Sequence, residues 1–158
     1  EDLNDNYWVD EIVPEEQMED YLNYFYNDIN LYDYCNINKN AKEVIEELTK
    51  YYEVLICSAY VDHRDMDSCA NLVAHKHNWL HKNLPFIHPD NYVFTSNKKA
   101  VQADIKIDDK ISNLEGDADL KLLITAHHNE KITDEELKEK GIIRVNNWNE
   151  IANILLRH

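Results

Sequence analysis

Glycine is almost missing from this chain: two residues in 158, Gly116 and Gly141. A GxGxxG turn or a Walker loop needs more, which excludes dinucleotide-binding and P-loop NTPase architectures. Cysteine is scarce as well. Cys35, Cys57 and Cys69 form no CxxC pair, and their odd number, with no secretory signal, leads us to expect a reducing, cytoplasmic setting. No apolar run approaches the ~18 residues of a membrane helix. Positive charge is short: 16 Lys and Arg stand against 31 Asp and Glu, a net charge of −15. That excludes a basic surface for nucleic-acid polymers or anionic membranes. A small phosphorylated ligand stays open, because one lysine and a few backbone N–H groups can hold a phosphate. The chain starts at Glu1 rather than at a methionine, so we expect it to be part of a longer product.

The length, 158 residues, suits one domain with a small appendage and suffices to bury a core without disulfides or metals. The first 36 residues are rich in acid, Asn and Tyr. Pro14-Glu15-Glu16 reads as a helix start, with proline in the first turn and acid at the positive end of the dipole, and predicts a helix over 14–28 in a small helical region. From Asn38 the rhythm changes. Ala41, Val44, Ile45 and Leu48 fall at helical spacing. Val54 to Cys57 is a continuous apolar run of the kind found in buried parallel strands. A helix is expected over 66–82, strands over 92–94, 103–107, 120–125 (Lys121 at an exposed edge or end) and 142–145, and a closing helix over 147–157 with Ile151, Ile154 and Leu155 inward. Trp79 and Trp148 are expected to pack helices against the sheet. Strands alternating with helices predict a three-layer α/β fold with a mostly parallel sheet.

Ligands of open α/β sheets sit beyond the carboxyl ends of the strands. Ser58 and Ala59 follow the first predicted strand, Ser96 to Lys99 the second, Asp108-Asp109 the third, and Thr125 to His128 the fourth. A hydroxyl, a lysine and an acidic pair would then converge on one rim. Such a set suits a phosphate held by Ser and Lys and a hard cation such as Mg²⁺ held by carboxylates. Each feature alone has an ordinary explanation: a serine after a strand is a turn or cap residue, paired acids favour helix N-termini, and a lysine in a polar loop is solvated surface. Their order, Ser, then Lys, then Asp-Asp, on successive α/β units is what raises the functional reading.

Three stretches carry a family resemblance: VLICSAYVD, then KHNWLHKNLPFIHPDNYVFTSNKKAVQADIKIDDKISNL, then LLITAHHN. With Lys98 upstream of Asp108-Asp109, the Trp79…Pro85-Phe86 segment and the Thr125-Ala126-x-His-Asn box, the chain from about residue 12 onward resembles the 5′(3′)-deoxyribonucleotidases of the haloacid dehalogenase (HAD) superfamily. The resemblance implies a HAD-like Rossmannoid core over 37–158 and a small helical cap over 1–36. It implies that Ser58 binds phosphate together with the backbone N–H of Ala59. Lys98 would neutralise the phosphate and the nucleophile. Of Asp108 and Asp109, one would ligate Mg²⁺ and the other orient a water or Lys98. Trp8, Tyr24 and Phe25 are candidates to flank the base, although an aromatic at helical spacing is more often core.

The superfamily's first motif, an apolar strand ending in Asp-x-Asp, supplies the nucleophile and the general acid/base. No such strand occurs in this sequence. Asp65-Met66-Asp67 has the right letters, but it follows Asp62-His63-Arg64 and reads as the acidic start of a helix. We therefore expect about one βα unit, roughly thirty residues, to lie outside this sequence. The strands beside the gap would each have an unpaired apolar edge. His75, His77 and His81 invite a zinc reading; His77 and His81 share a helix face, but residue 78 is Asn rather than the Glu of HExxH, and surface histidines are the expectation. His127 and His128 are candidates for substrate or supporting contacts.

These readings converge on a Mg²⁺-dependent phosphomonoester hydrolase for deoxynucleoside monophosphates, working through an aspartyl-phosphate. The expected partner is a small nucleotide, without nucleic-acid polymer or membrane, in a possible homodimer. The alternatives are an inactive phosphate-binding relative and a HAD phosphatase for another small phosphoester, which hydrolysis of sugar phosphates but not of deoxynucleotides would reveal.

Overall fold

The computed structural model describes residues 13–61, 66, 67 and 69–157. They fall into two compact units, one running through Ser96 and the other from Asn97 onward.

The first unit opens with the helical stretch predicted over 14–28, but its pitch changes twice. A 3₁₀ turn at Glu15–Gln17 leads into α1 (Met18–Asn23), and a π turn follows at Tyr24–Asp28. The wide turn closes through the amide of Ile29 donating to the carbonyl of Tyr24 at 3.1 Å. Helix α2 (Ala41–Leu48) buries Ala41, Val44, Ile45 and Leu48, an i, i+3, i+4, i+7 stripe that places one face in the core. Strand β1 is Ile56–Ser58, two residues later than expected at its start. Val54 lies outside the ladder, its carbonyl accepting from Asn91 Nδ2 at 3.1 Å, and Leu55 is exposed. Helix α3 (Cys69–Asn83) is followed by the buried Leu84 and Ile87 and then by β2 (Tyr92–Phe94). β1 and β2 pair in parallel, Ile56 with Tyr92 through Ser58 with Phe94.

Trp79 of α3 meets the irregular 31–35 segment. Its indole Nε1 donates to the carbonyl of Cys35 at 3.0 Å and its ring meets Tyr32 edge-on, so it ties α3 to the irregular 31–35 segment, where an indole can bury its ring and still satisfy its N–H.

The second unit holds β3 (Ile105–Asp108), β4 (Leu120–Ile124) and β5 (Ile142–Val145), all parallel, in spatial order β3-β4-β5. Leu122 and Leu123 on β4 are adjacent, point to opposite faces and are both fully buried, so both faces of this sheet are covered. One face packs Leu123 with Leu114, Leu137 and Ile142, flanked by Ile111 and Ile132. Lys121 thus sits near the start of a central strand, between Lys106 and Ile142, not on an edge. Helix α4 (Asp134–Glu139) follows a capping box: Thr133 Oγ1 accepts from the amide of Glu136, whose carboxylate accepts from the amide of Thr133. Gly141 ends it at φ +68, a left-handed position that glycine takes without strain. Helix α5 (Trp148–Leu155), capped by Asn147, buries Ile151 and Leu155 and leaves Ile154 exposed, against expectation. Ile154 lies one residue off the i, i+4 line of the other two.

The described strands are parallel throughout and divide into two sheets, β1-β2 and β3-β4-β5. Mixed helices and parallel strands are those of the α/β Rossmannoid class, as expected. No helix among the described residues is long and apolar enough to cross a membrane.

Candidate active site

In the second unit, the exit of β3 brings three of the sequence candidates together. Lys98, in a 3₁₀ turn at Lys98–Ala100, donates from Nζ to Asp108 Oδ2 at 2.9 Å. The side chains are 18% and 12% exposed, so this pair is largely shielded from water. The other carboxylate oxygen, Oδ1, accepts from the amide of Lys110 at 3.0 Å and from Asn113 Nδ2 at 2.9 Å. Burial pushes the Asp108 carboxyl up, but Lys98, Asn113 and the Lys110 amide outweigh it and hold the group below the ordinary carboxylate range.

Asp109 is in the opposite situation. Burial raises its carboxyl, the adjacent Asp108 charge raises it further, and His128 and Lys98 only partly oppose the rise. Its side chain is 43% exposed, and His128 Nε2 approaches Oδ2 no closer than 3.9 Å. The backbone of Asp109, by contrast, is tied down: its carbonyl accepts from Asn129 Nδ2 at 2.8 Å and lies 3.0 Å from His128 Nε2. A carbonyl can only accept, so that nitrogen carries the proton. An open hollow of about 290 Å³ adjoins the acid, lined by Asp109, Ile111, Ser112, His128 and Asn129.

Asn129 is 2% exposed and fully committed. It also donates to the carbonyl of Ile124 at 2.9 Å and accepts from the amide of Ala126 at 3.1 Å. Arg144 on β5 bonds Asn129 Oδ1 at 3.2 Å, the Asn129 carbonyl at 3.3 Å, Thr125 Oγ1 at 3.4 Å and Asp134 Oδ1 at 3.1 Å. The Thr-Ala-His-His-Asn box is thus mainly scaffold for the acidic pair; His127 is exposed.

In the first unit, Ser58 ends β1, and its carbonyl accepts from the amide of Thr95 at 3.0 Å. Lys76 of α3 donates to Ser58 Oγ at 3.1 Å and to the carbonyl of Ala59. Ser96 Oγ accepts from the amide of Val61 at 3.2 Å. Tyr24 is exposed on the π turn, and Phe25 stacks on Tyr21 at 5.1 Å; Trp8 lies outside the described residues. His77 and His81 stack on each other, and His77 meets Tyr92 edge-on. Among the described residues no three His, Cys, Asp or Glu side chains gather as metal ligands.

Sequence reasoning missed Lys76, Asn113 and Arg144. Lys76 stands inside a His-Lys-His run that draws the eye to the histidines, and nothing local marks Arg144, whose partners lie 10 to 19 residues away. Asn129 was visible as a letter of its box without a role.

Known proteins place this arrangement in context. The family described as 5′ nucleotidase, deoxy (Pyrimidine), cytosolic type C protein matches residues 1–158. The 5′(3′)-deoxyribonucleotidase of Bacillus subtilis (strain 168) is 38% identical over 133 residues, covering 84% of this chain and 70% of that protein. The protein of the same name from Bacillus phage SPbeta matches with the same figures. That of Clostridium acetobutylicum is 34% identical over 110 residues, 70% of this chain and 53% of its own length.

Proposed function

The chain belongs to the cytosolic type C deoxy (pyrimidine) 5′-nucleotidase family of the HAD superfamily, and on that premise we propose that it is a Mg²⁺-dependent hydrolase of deoxynucleoside monophosphates. The observation that carries the reading is the divided acidic pair at the exit of β3: Asp108 locked to Lys98, Asp109 open beside a hollow.

In this reading the two acids, interchangeable on sequence alone, take different roles. Asp108 has its oxygens engaged by three donors and orients Lys98, whose ammonium neutralises phosphate. Asp109, a half-exposed carboxylate burdened by its neighbour's charge, is the cation ligand. A hard oxygen donor with room for water fits Mg²⁺, which takes one or two carboxylates and keeps several waters. When bound, that ion neutralises charge on the phosphoryl oxygens. Ser58 Oγ and the amide of Ala59 hold the phosphate. Tyr24 and Phe25, on the helical stretch of the first unit, are base-side candidates, as is Trp8 by its residue type. The reaction breaks the phosphoester bond by attack of an aspartate supplied from outside this sequence, and water then cleaves the aspartyl-phosphate.

A second reading, a phosphate-binding relative without turnover, is favoured by one observation: among the described residues no Asp-x-Asp ends a strand. Assay of the intact protein against deoxynucleoside monophosphates and sugar phosphates, with and without Mg²⁺, separates the readings. Release of phosphate from deoxynucleotides only with Mg²⁺ is expected. Binding without turnover supports the second reading, and turnover of sugar phosphates alone overturns the nucleotidase assignment.

A further inference from the structure

The first unit carries a cation at Ser58 that the motif pattern leaves unassigned. Lys76 lies 18 residues beyond Ser58, on α3, and its Nζ donates to Ser58 Oγ at 3.1 Å and to the carbonyl of Ala59. We propose that Lys76 is a phosphate-binding residue, a second ammonium brought by α3 to the oxyanion that Ser58 and the Ala59 amide hold. This rests on the reading of Ser58 as a phosphate ligand.

Three physical points support it. First, an ammonium donates and never accepts. Since Lys76 donates into Ser58 Oγ, the hydroxyl's own hydrogen points elsewhere, leaving Ser58 a donor polarised by a positive charge. Second, a phosphate oxygen hydrogen-bonded to Ser58 at ~2.7 Å lies within about 6 Å of Nζ, inside the ~8 Å screening length of physiological salt. In a chain of net charge −15, a dianion gains from every local cation on its approach. Third, the cation is held by a rigid support. Leu80 and Cys69 of α3 are buried, and Trp79 anchors the helix to the carbonyl of Cys35, so the ammonium is positioned before a ligand arrives.

A purely structural lysine, clamping the end of β1 through the Ala59 carbonyl, would make the same two contacts. Lys76→Gln separates the roles, because the amide keeps a donor for Ser58 and Ala59 but carries no charge. The probe is inorganic phosphate, titrated calorimetrically into the intact protein, with kinetics on deoxynucleoside monophosphates alongside. Loss of one charged hydrogen-bonding partner is worth about a tenfold to hundredfold change in affinity. The phosphate Kd and the KM should rise by that factor in Lys76→Gln, with kcat changing less, and Lys76→Arg should recover most of the loss. A phosphate Kd and KM equal to wild type in Lys76→Gln overturn the proposal. Should that variant fail to fold, the wild-type protein decides: phosphate must slow acylation of Lys76, read by mass spectrometry, and unchanged labelling overturns the proposal equally. If deoxynucleotides are not hydrolysed but phosphate binds and Lys76→Gln weakens it, the hydrolase reading falls and Lys76 stands. If they are hydrolysed and Lys76→Gln changes nothing, Lys76 falls alone. A wild-type protein that neither binds phosphate nor hydrolyses deoxynucleotides overturns both.

Discussion

Asp108 and Asp109 are neighbours in the chain and are driven in opposite directions: Asp108 gives up its proton more readily than an ordinary carboxyl, Asp109 less readily. The cause is the set of groups that each carboxyl meets. Asp108 is held by Lys98, Asn113 and the Lys110 amide, while Asp109 meets the Asp108 carboxyl, lies 3.9 Å from His128 and borders the hollow. Two identical side chains, adjacent in the chain, are thus one locked and one open.

The depressed acid makes a prediction about low pH. A carboxyl whose folded pKa lies below its unfolded value stabilises the fold above about pH 4, and that contribution is lost as pH falls through the folded value. Asp108→Asn should therefore flatten the acid limb of the stability curve in urea melts. At neutral pH it should cost about 3 kcal/mol, since it strands the shielded Lys98 ammonium. Lys98→Met should cost a similar amount, and the double variant less than the sum.

Asp109 reverses the sign. Its folded pKa is raised, so ionising it burdens the fold as pH climbs from the ordinary carboxylate value through the raised one. Asp109→Asn should melt at a higher temperature than wild type at pH 7 without divalent ions. The same variant should lose any upward shift in melting temperature that Mg²⁺ gives the wild type. A variant that still responds to Mg²⁺ like wild type would remove Asp109 as the cation ligand.

Asn129 and Arg144 form the scaffold behind the acids. Asn129→Leu removes donors from the carbonyls of Asp109 and Ile124 and an acceptor from the amide of Ala126. Leaving such buried groups unsatisfied should cost about 2–4 kcal/mol. Arg144→Lys keeps the charge but loses the planar fork that reaches four partners, and should destabilise by about 2 kcal/mol. Hydrogen exchange at the 125–134 segment should accelerate in both variants.

Two local changes at the ends of α4 calibrate the scale. Thr133→Ala removes the capping box of α4 and should cost about 1 kcal/mol. Gly141→Ala forces a Cβ into a left-handed backbone with no atom to clash against within 4 Å, so only the intrinsic strain of about 1–2 kcal/mol should appear in denaturant melts.

Local signals made much of the fold legible. The Ala41-Val44-Ile45-Leu48 stripe, the Ile142–Val145 strand and the last helix lie where the apolar pattern puts them. Helix α4 went unread because its only apolar anchor is Leu137, too little for a period. Val54 and Leu55 have strand composition yet precede β1, and the Val54 carbonyl is bonded by Asn91, 37 residues away in sequence. Ile154 reads as inward by composition, but it and Leu155 are adjacent and so face different directions on a helix of 3.6 residues per turn.

Of the candidate residues, the sequence by itself determined the types and their order, Ser58, Lys98, then Asp108-Asp109, in a chain that is acidic and poor in glycine. Those are properties of composition and of short, regular elements. Only the tertiary structure decided which acid is locked and which open, that Asn129 and Arg144 hold them, and that Lys76 reaches Ser58. Each of these depends on side chains meeting across 5 to 20 residues of chain. Such meetings are set by how helices and strands pack, and packing leaves no periodic trace in the letters themselves.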